Sequence, residues 1–210
     1  MSNKKKPMGV YILLDRTGSM APIWDEAVSS VNTYVKELGK DGAPDRVTLA
    51  VFDAFDTGMQ FDVLRDRVKI DEWKPVGAEE VLPRGMTPLL DALVRLIAMA
   101  EEAGNPKTAI VVMTDGYENA SREVSWKAAK AAIDRAVARK WQVNFLGANF
   151  DGIAQAESVG VSRERSMNYA RGHGGRAMRS TAERHREYRY ATHDIVYQKE
   201  DRAEAGEDEV

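Results

Sequence analysis

Asp15, Thr17 and Ser19 stand at alternate positions directly after a short apolar run, residues 8–14 (MGVYILL). One carboxylate and two hydroxyls in a tight loop offer only hard oxygen donors. Magnesium and manganese prefer that set, with water completing an octahedron. Gly18 lets the backbone turn sharply between the two hydroxyls. The same side chains would also serve as caps for a following helix, so the triplet alone does not decide between the two roles. Two other places bear on the choice. Thr87 follows Arg84-Gly85-Met86 at the start of a helix, and its hydroxyl can be aimed at the same crevice or can cap that helix. Asp115 ends a second apolar run in Met113-Thr114-Asp115-Gly116, where a turn-forming Asp-Gly is the competing explanation.

The elements that would carry these residues follow from periodicity. Residues 8–14 and 109–113 (AIVVM) are continuous apolar runs, as expected of strands buried on both faces of a parallel sheet. Residues 46–55 and 61–70 read as two further strands joined through Asp56-Thr57-Gly58 into an antiparallel hairpin. Residues 143–146 and 166–169 supply two more. Helical spacing runs from Pro22 to Leu38, over 89–103 with Thr87 as cap, over the alanine-rich 126–140, and over 153–159. The order predicts an α/β fold, Rossmann-like and doubly wound. Its sheet would be six-stranded and mostly parallel with one antiparallel edge strand, and helices would cover both faces. In such sheets ligands bind outside the carboxyl ends of the strands, where Asp15 and Asp115 fall.

Asp15-Arg16-Thr17-Gly18-Ser19-Met20, Gly85-Met86-Thr87-Pro88-Leu89 and Thr114-Asp115-Gly116, in that order, resemble the von Willebrand factor A (vWA) domain and its metal-ion-dependent adhesion site. The resemblance spans residues 8–169. It implies that Thr17 and Ser19 bind a metal directly and that Thr87 binds directly or through water. It also implies that Asp15 and Asp115 hold coordinated waters. Thr17 stands where serine is commoner in the family, and it keeps the hydroxyl. The ion implied is Mg²⁺, with Mn²⁺ or Ca²⁺ as alternatives. The function implied is a module that binds an Asp or Glu of a partner protein through that ion. Relatives of bacterial and phage type suggest an AAA+ ATPase of the MoxR type as one such partner.

An enzyme is not expected. A phosphatase of the haloacid dehalogenase type needs a general acid two positions after its nucleophilic aspartate, and Thr17 stands there; Lys107 begins a strand and so lies at the wrong end of the sheet. Asp53 and Asp56 leave the second strand on the same edge as Asp15, where they can line the crevice or simply form the turn. The 210 residues contain no cysteine, which excludes disulfides and thiolate metal sites. The formal net charge is −3, and no apolar stretch has the length of a signal peptide core or a membrane helix, so a cytoplasmic protein with no membrane association is expected.

The composition divides the chain into a basic lead (1–7), the vWA-like domain (8–169), an arginine-rich and partly helical extension (170–198) and an acidic tail (199–210) expected to lack order. The extension carries the alternative function, nucleic-acid binding, with arginines on phosphates and Tyr169, Tyr188 and Tyr190 stacking bases. His173, His185 and His193 show no metal-ligand spacing and are expected to be solvated.

Overall fold

β1 (Gly9–Asp15) lies inside a six-stranded sheet and is buried along its whole length. The computed structural model describes residues 7–56, 58–148, 151–191 and 193–210. Residues 1–6 of the basic lead and Thr57 of the hairpin turn lie outside the described residues. The other strands are β2 (Arg46–Phe55), β3 (Gly58–Lys69), β4 (Thr108–Thr114), β5 (Gln142–Ala148) and β6 (Ser166–Tyr169). Their spatial order is β3-β2-β1-β4-β5-β6, with β3 antiparallel to β2 and every other pairing parallel. This is the expected α/β architecture.

Successive side chains of a strand point to opposite faces, so a strand buried on both faces must be apolar at every position. In β1, Val10, Ile12 and Leu14 pack into the layer formed with α1 (Trp24–Leu38) and α5 (Gly174–Tyr190). Tyr11 and Leu13 pack into the opposite layer with α2 (Leu89–Ala103), α3 (Trp126–Ala138) and α4 (Gly152–Ser158). Because β1 and β4 run in register, Leu14 beside Met113, they deliver Asp15 and Thr114-Asp115 to the same edge. Among the described residues no helix is long and apolar enough to cross a membrane.

β3 forms one edge of the sheet. Its register with β2 shifts twice, around Leu49, and Arg67 takes a left-handed conformation (φ 49°) there. Arg65 reaches across to the following loop, where it forms an ion pair with Glu80 at 2.9 Å and donates to the Lys74 carbonyl.

The chain after residue 169 completes the α1 face of the fold. Ala177, Met178, Ala182 and Tyr188 of α5 are buried against the sheet, a helical apolar stripe hidden among charges. Arg189 is fully buried between Asp41 and Asp45, and the other Asp45 oxygen accepts the Met8 N–H at 2.9 Å. His185, expected in solvent, is buried: Tyr34 Oη lies 2.6 Å from Nδ1 and Asn144 Oδ1 lies 2.8 Å from Nε2.

The acidic stretch 199–210 also has fixed structure, α6 (Lys199–Glu204) followed by a 3-10 turn, Glu207–Glu209. Composition misleads because its charges are paired locally. Gln198 and Asp201 form a reciprocal capping box, and Arg202 pairs with Glu207 at 2.8 Å. Ala205 is buried, and its carbonyl accepts the Ala170 N–H at 3.0 Å.

Candidate metal centre

All five residues singled out from the sequence converge at the carboxyl edge of the sheet. Asp15 ends β1, fully buried. One of its oxygens accepts the Thr17 N–H at 2.7 Å and the other accepts the Thr114 hydroxyl at 2.6 Å. The first bond curls the chain back over the strand end, so that the Thr17 and Ser19 hydroxyls face each other at 3.2 Å. The Ser19 hydroxyl donates to Asp115 Oδ1 at 2.6 Å, and the Thr87 hydroxyl lies 3.3 Å from that of Thr17. Asp15, Thr17 and Thr87 form a buried floor, while Ser19 is exposed and Asp115 is partly so. A Cβ on Gly116 would sit 3.5 Å from Ser19 Oγ and 3.6 Å from Thr87 Oγ1, so the lack of one keeps this side of the oxygens open.

Thr87 does not cap α2, whose N-cap is Pro88. Its backbone is held instead by Asn119, whose side-chain oxygen accepts the Thr87 N–H at 2.8 Å, while Asn119 N–H donates to the Thr87 carbonyl at 3.0 Å. Glu118 and Asp91 accept further backbone amides of the loop and of the start of α2, at 2.7 Å to Ser121 and 2.7 Å to Val124. Loop 116–124 is thereby strapped to the helix that follows Thr87. No signal of this is visible in the sequence beyond the density of polar residues after Asp115.

Asp53 proves to be neither a turn residue nor a lining group. It is fully buried at the end of β2 and pairs with two arginines, Arg16 at 3.0 Å and Arg84 at 2.7 Å; Arg16 also reaches Asp62 at 2.7 Å. Arg16 adjoins Asp15, and Arg84 lies three residues before Thr87. Backbone bonds reinforce the junction: Arg84 N–H donates to the Arg16 carbonyl at 2.8 Å and Gly18 N–H to the Gly85 carbonyl at 3.1 Å. Gly85 is left-handed (φ 70°), and a Cβ there would fall 2.2 Å from the Ala54 oxygen. One buried carboxylate therefore ties together the two loops that carry Thr17, Ser19 and Thr87. Asp56, by contrast, lies in the turn with φ 55°.

Burial pushes the Asp15 carboxyl up to about 6, against the pull of its hydrogen bonds from Thr114 and Thr17, and the Asp115 charge adds to the push. Burial also raises Asp115, opposed by the Ser19 hydroxyl. Neither carboxylate forms a salt bridge among the described residues; the nearby arginines are engaged with Asp53 and Asp62. Three hydroxyls linked in a chain to Asp115, beside the buried Asp15 and without an ion-paired cationic side chain among the described residues, fit a small hard divalent cation. Among the described residues no group of three or more His, Asp or Glu is placed to hold a metal. The candidate set is instead rich in hydroxyls.

Other groups lie elsewhere. Lys107 is at the opposite end of the sheet, with Nζ donating to the Tyr188 and Ala191 carbonyls at 3.1 and 3.0 Å, far from a role beside Asp15. In the arginine-rich region, Arg165 pairs with Asp194, Arg184 with Asp201 and Glu187, and Arg189 with Asp41 and Asp45. Tyr169 and Tyr188 are buried in the core, which withholds them from stacking on bases.

No family model matches the sequence, and no curated protein matches it. Solved structures do match. The vWF domain of the type V pili tip protein Mfa5 from Porphyromonas gingivalis is similar with a TM-score of 0.69 at 11% identity, over 91% of this chain and 99% of that one. The PilB minor pilin from Streptococcus sanguinis gives a TM-score of 0.60 at 14% identity over 90% of this chain and 63% of that one, so the chain spans less than two thirds of that pilin. The manganese-loaded TRAP protein from Plasmodium vivax gives 0.58 at 15% identity, over 85% and 74%. At such identities the likeness carries the fold alone, and that fold is vWA-like.

Proposed function

We propose that this chain is a protein-binding module that works through a divalent cation, Mg²⁺ or Mn²⁺, held where the sheet strands end. The observation that carries the reading is the clustering of the Thr17, Ser19 and Thr87 hydroxyls beside Asp15 and Asp115, neither of which is paired with a basic side chain among the described residues. The three hydroxyls would hold the ion. Asp15 shapes the loop through Thr17 and Thr114, and Asp115 orients Ser19. A cation held mainly by neutral hydroxyls supplies a Lewis-acidic position that attracts a carboxylate from outside. The partner on this reading presents an Asp or Glu. The fold's manganese-loaded relative supports the choice of ion, whereas nothing in the site selects an AAA+ ATPase of the MoxR type among protein partners.

The test is thermal and chemical unfolding with Mn²⁺, Mg²⁺ and EDTA. At a free ion concentration about 100 times Kd, stability should rise by about 2.7 kcal/mol. Asp15→Asn should fold without the ion, because an amide nitrogen can donate to Thr114 Oγ1, which in turn lies 3.2 Å from the Gly116 carbonyl. It should lose the ion-induced gain, as should Ser19→Ala. A wild-type chain indifferent to both ions would refute the proposal. The nucleic-acid alternative is disfavoured because many arginines of the C-terminal region are already engaged with carboxylates or carbonyls of the same chain.

A further inference from the structure

Of the nine large apolar residues exposed among the described residues, four lie in the chain segments that carry or lead into the candidate metal centre. Met86, 53% exposed, immediately precedes Thr87, and Tyr117, 58% exposed, follows Asp115-Gly116. Leu82 (69%) lies on the loop that leads to Met86, and Phe55 (46%) ends β2. Backbone bonds draw these positions together. Met86 and Ala54 exchange hydrogen bonds at 3.0 and 2.8 Å, which places Phe55 beside the Met86 loop. The Arg84 guanidinium sits 5.2 Å over the Phe55 ring. On the other side, the paired bonds between Thr87 and Asn119 hold the Tyr117 loop against Met86-Thr87.

Solvent-facing loops gain nothing from such side chains in isolation, and contiguous exposed apolar surface marks an interaction site. Around a charged centre it has a specific use. An apolar ring excludes water when a partner docks, which strengthens the ionic contact it encloses. We infer that Phe55, Leu82, Met86 and Tyr117 form a partner-facing collar, and that the partner is a protein segment whose acidic residue is flanked by large apolar side chains. The inference rests on the metal-dependent reading above and adds the chemistry of the flanks. A nucleic acid would require available basic groups here, whereas Arg84, the basic group on the collar, is paired with Asp53.

The test uses two fluorescent synthetic peptides of equal charge, each with one central glutamate. Leu and Phe flank it in one, Ser and Gly in the other. Both are titrated against the full chain with Mn²⁺ and with EDTA, and Mn²⁺ binding is measured separately by calorimetry. With Mn²⁺ the apolar-flanked peptide should bind at least tenfold more tightly, and EDTA should abolish its binding. Leu82→Ser and Tyr117→Ser should each weaken it by roughly tenfold, the order expected for one large apolar side chain no longer desolvated, with Mn²⁺ affinity unchanged. Equal binding of the two peptides, binding of neither, or collar variants that bind like wild type would overturn the collar while Mn²⁺ calorimetry keeps the metal reading standing. Preferential capture of a single-stranded oligonucleotide would overturn it too. Absence of Mn²⁺ binding to the wild-type chain would remove the underlying reading and the inference together.

Discussion

Acid should weaken this fold through His185. The ring is buried, its Nε2 faces the Asn144 side-chain oxygen at 2.8 Å, and Asn144 Nδ2 donates to the Arg165 carbonyl at 3.2 Å. That second bond fixes the amide, so Nε2 must carry the proton and Nδ1 must accept from the Tyr34 hydroxyl at 2.6 Å. A second proton on Nδ1 would force the Tyr34 hydroxyl from donor to acceptor, and burial, with the Arg189 charge adding to it, lowers the pKa to about 3. The unfolded chain protonates this histidine near 6.5, so it binds the extra proton first, and stability present above that pH is lost as pH falls. The slope approaches about 1.4 kcal/mol per pH unit, or about 2 kcal/mol between pH 7 and pH 5. Urea unfolding of wild type and His185→Gln in EDTA should therefore show the wild type losing about 2 kcal/mol more over that interval, whatever the variant costs at neutral pH. Other titrating groups act in both proteins and cancel. Parallel pH dependences would refute the assigned tautomer and its energetic consequence.

Asp53→Asn should destabilise the chain by about 3 kcal/mol, since it leaves the buried Arg16 with only the solvent-exposed Asp62 as its counter-charge, and should shrink the Mn²⁺-induced stabilisation; a metal effect of unchanged size in urea titrations would make Asp53 purely structural. Gly85→Ala forces a Cβ toward the Ala54 oxygen in a left-handed conformation. It should cost about 2 kcal/mol and weaken Mn²⁺ binding, as read by thermal unfolding and calorimetry. Backbone amides of Arg202 and Ala205, bonded to the Gln198 and Asp201 carbonyls, should be protected in hydrogen exchange, and loss of residues 199–210 should cost about 1–2 kcal/mol. Immediate exchange there would refute the packing of α6.

What could be read from the chain alone were features whose cause is local. Two uninterrupted apolar runs stopping at Asp15 and Asp115 announce central strands and the edge at which they end. A hydroxyl-rich loop with Gly18 follows from short-range geometry. The function of Asp53 was not legible, because its arginines lie 37 and 31 residues away and nothing local distinguishes it from a turn former. Thr87 looked like a cap since Thr-Pro commonly opens helices, yet tertiary bonds from Asn119 turn its side chain toward Thr17. Helix α5 concealed its buried stripe under arginines, and His185 passed as a surface residue because its partners, Tyr34 and Asn144, come from α1 and β5. The final segment has an acidic excess that composition equates with disorder; a capping box, Arg184 and Arg202, and the buried Ala205 hold it.

The irregular β3 edge determines from which direction another molecule can approach. An uncovered strand of 12 residues would ordinarily be an inviting template for a guest strand. Here the two slips in spacing near Leu49 and the kink at Arg67 break the line of amides and carbonyls, and Asp62, Asp66, Arg67 and Lys69 crowd the outer row with charge. Addition of a guest strand along β3 is thereby obstructed. That leaves the strand tips, where the oxygen-lined centre lies, as the approach consistent with the binding proposed above.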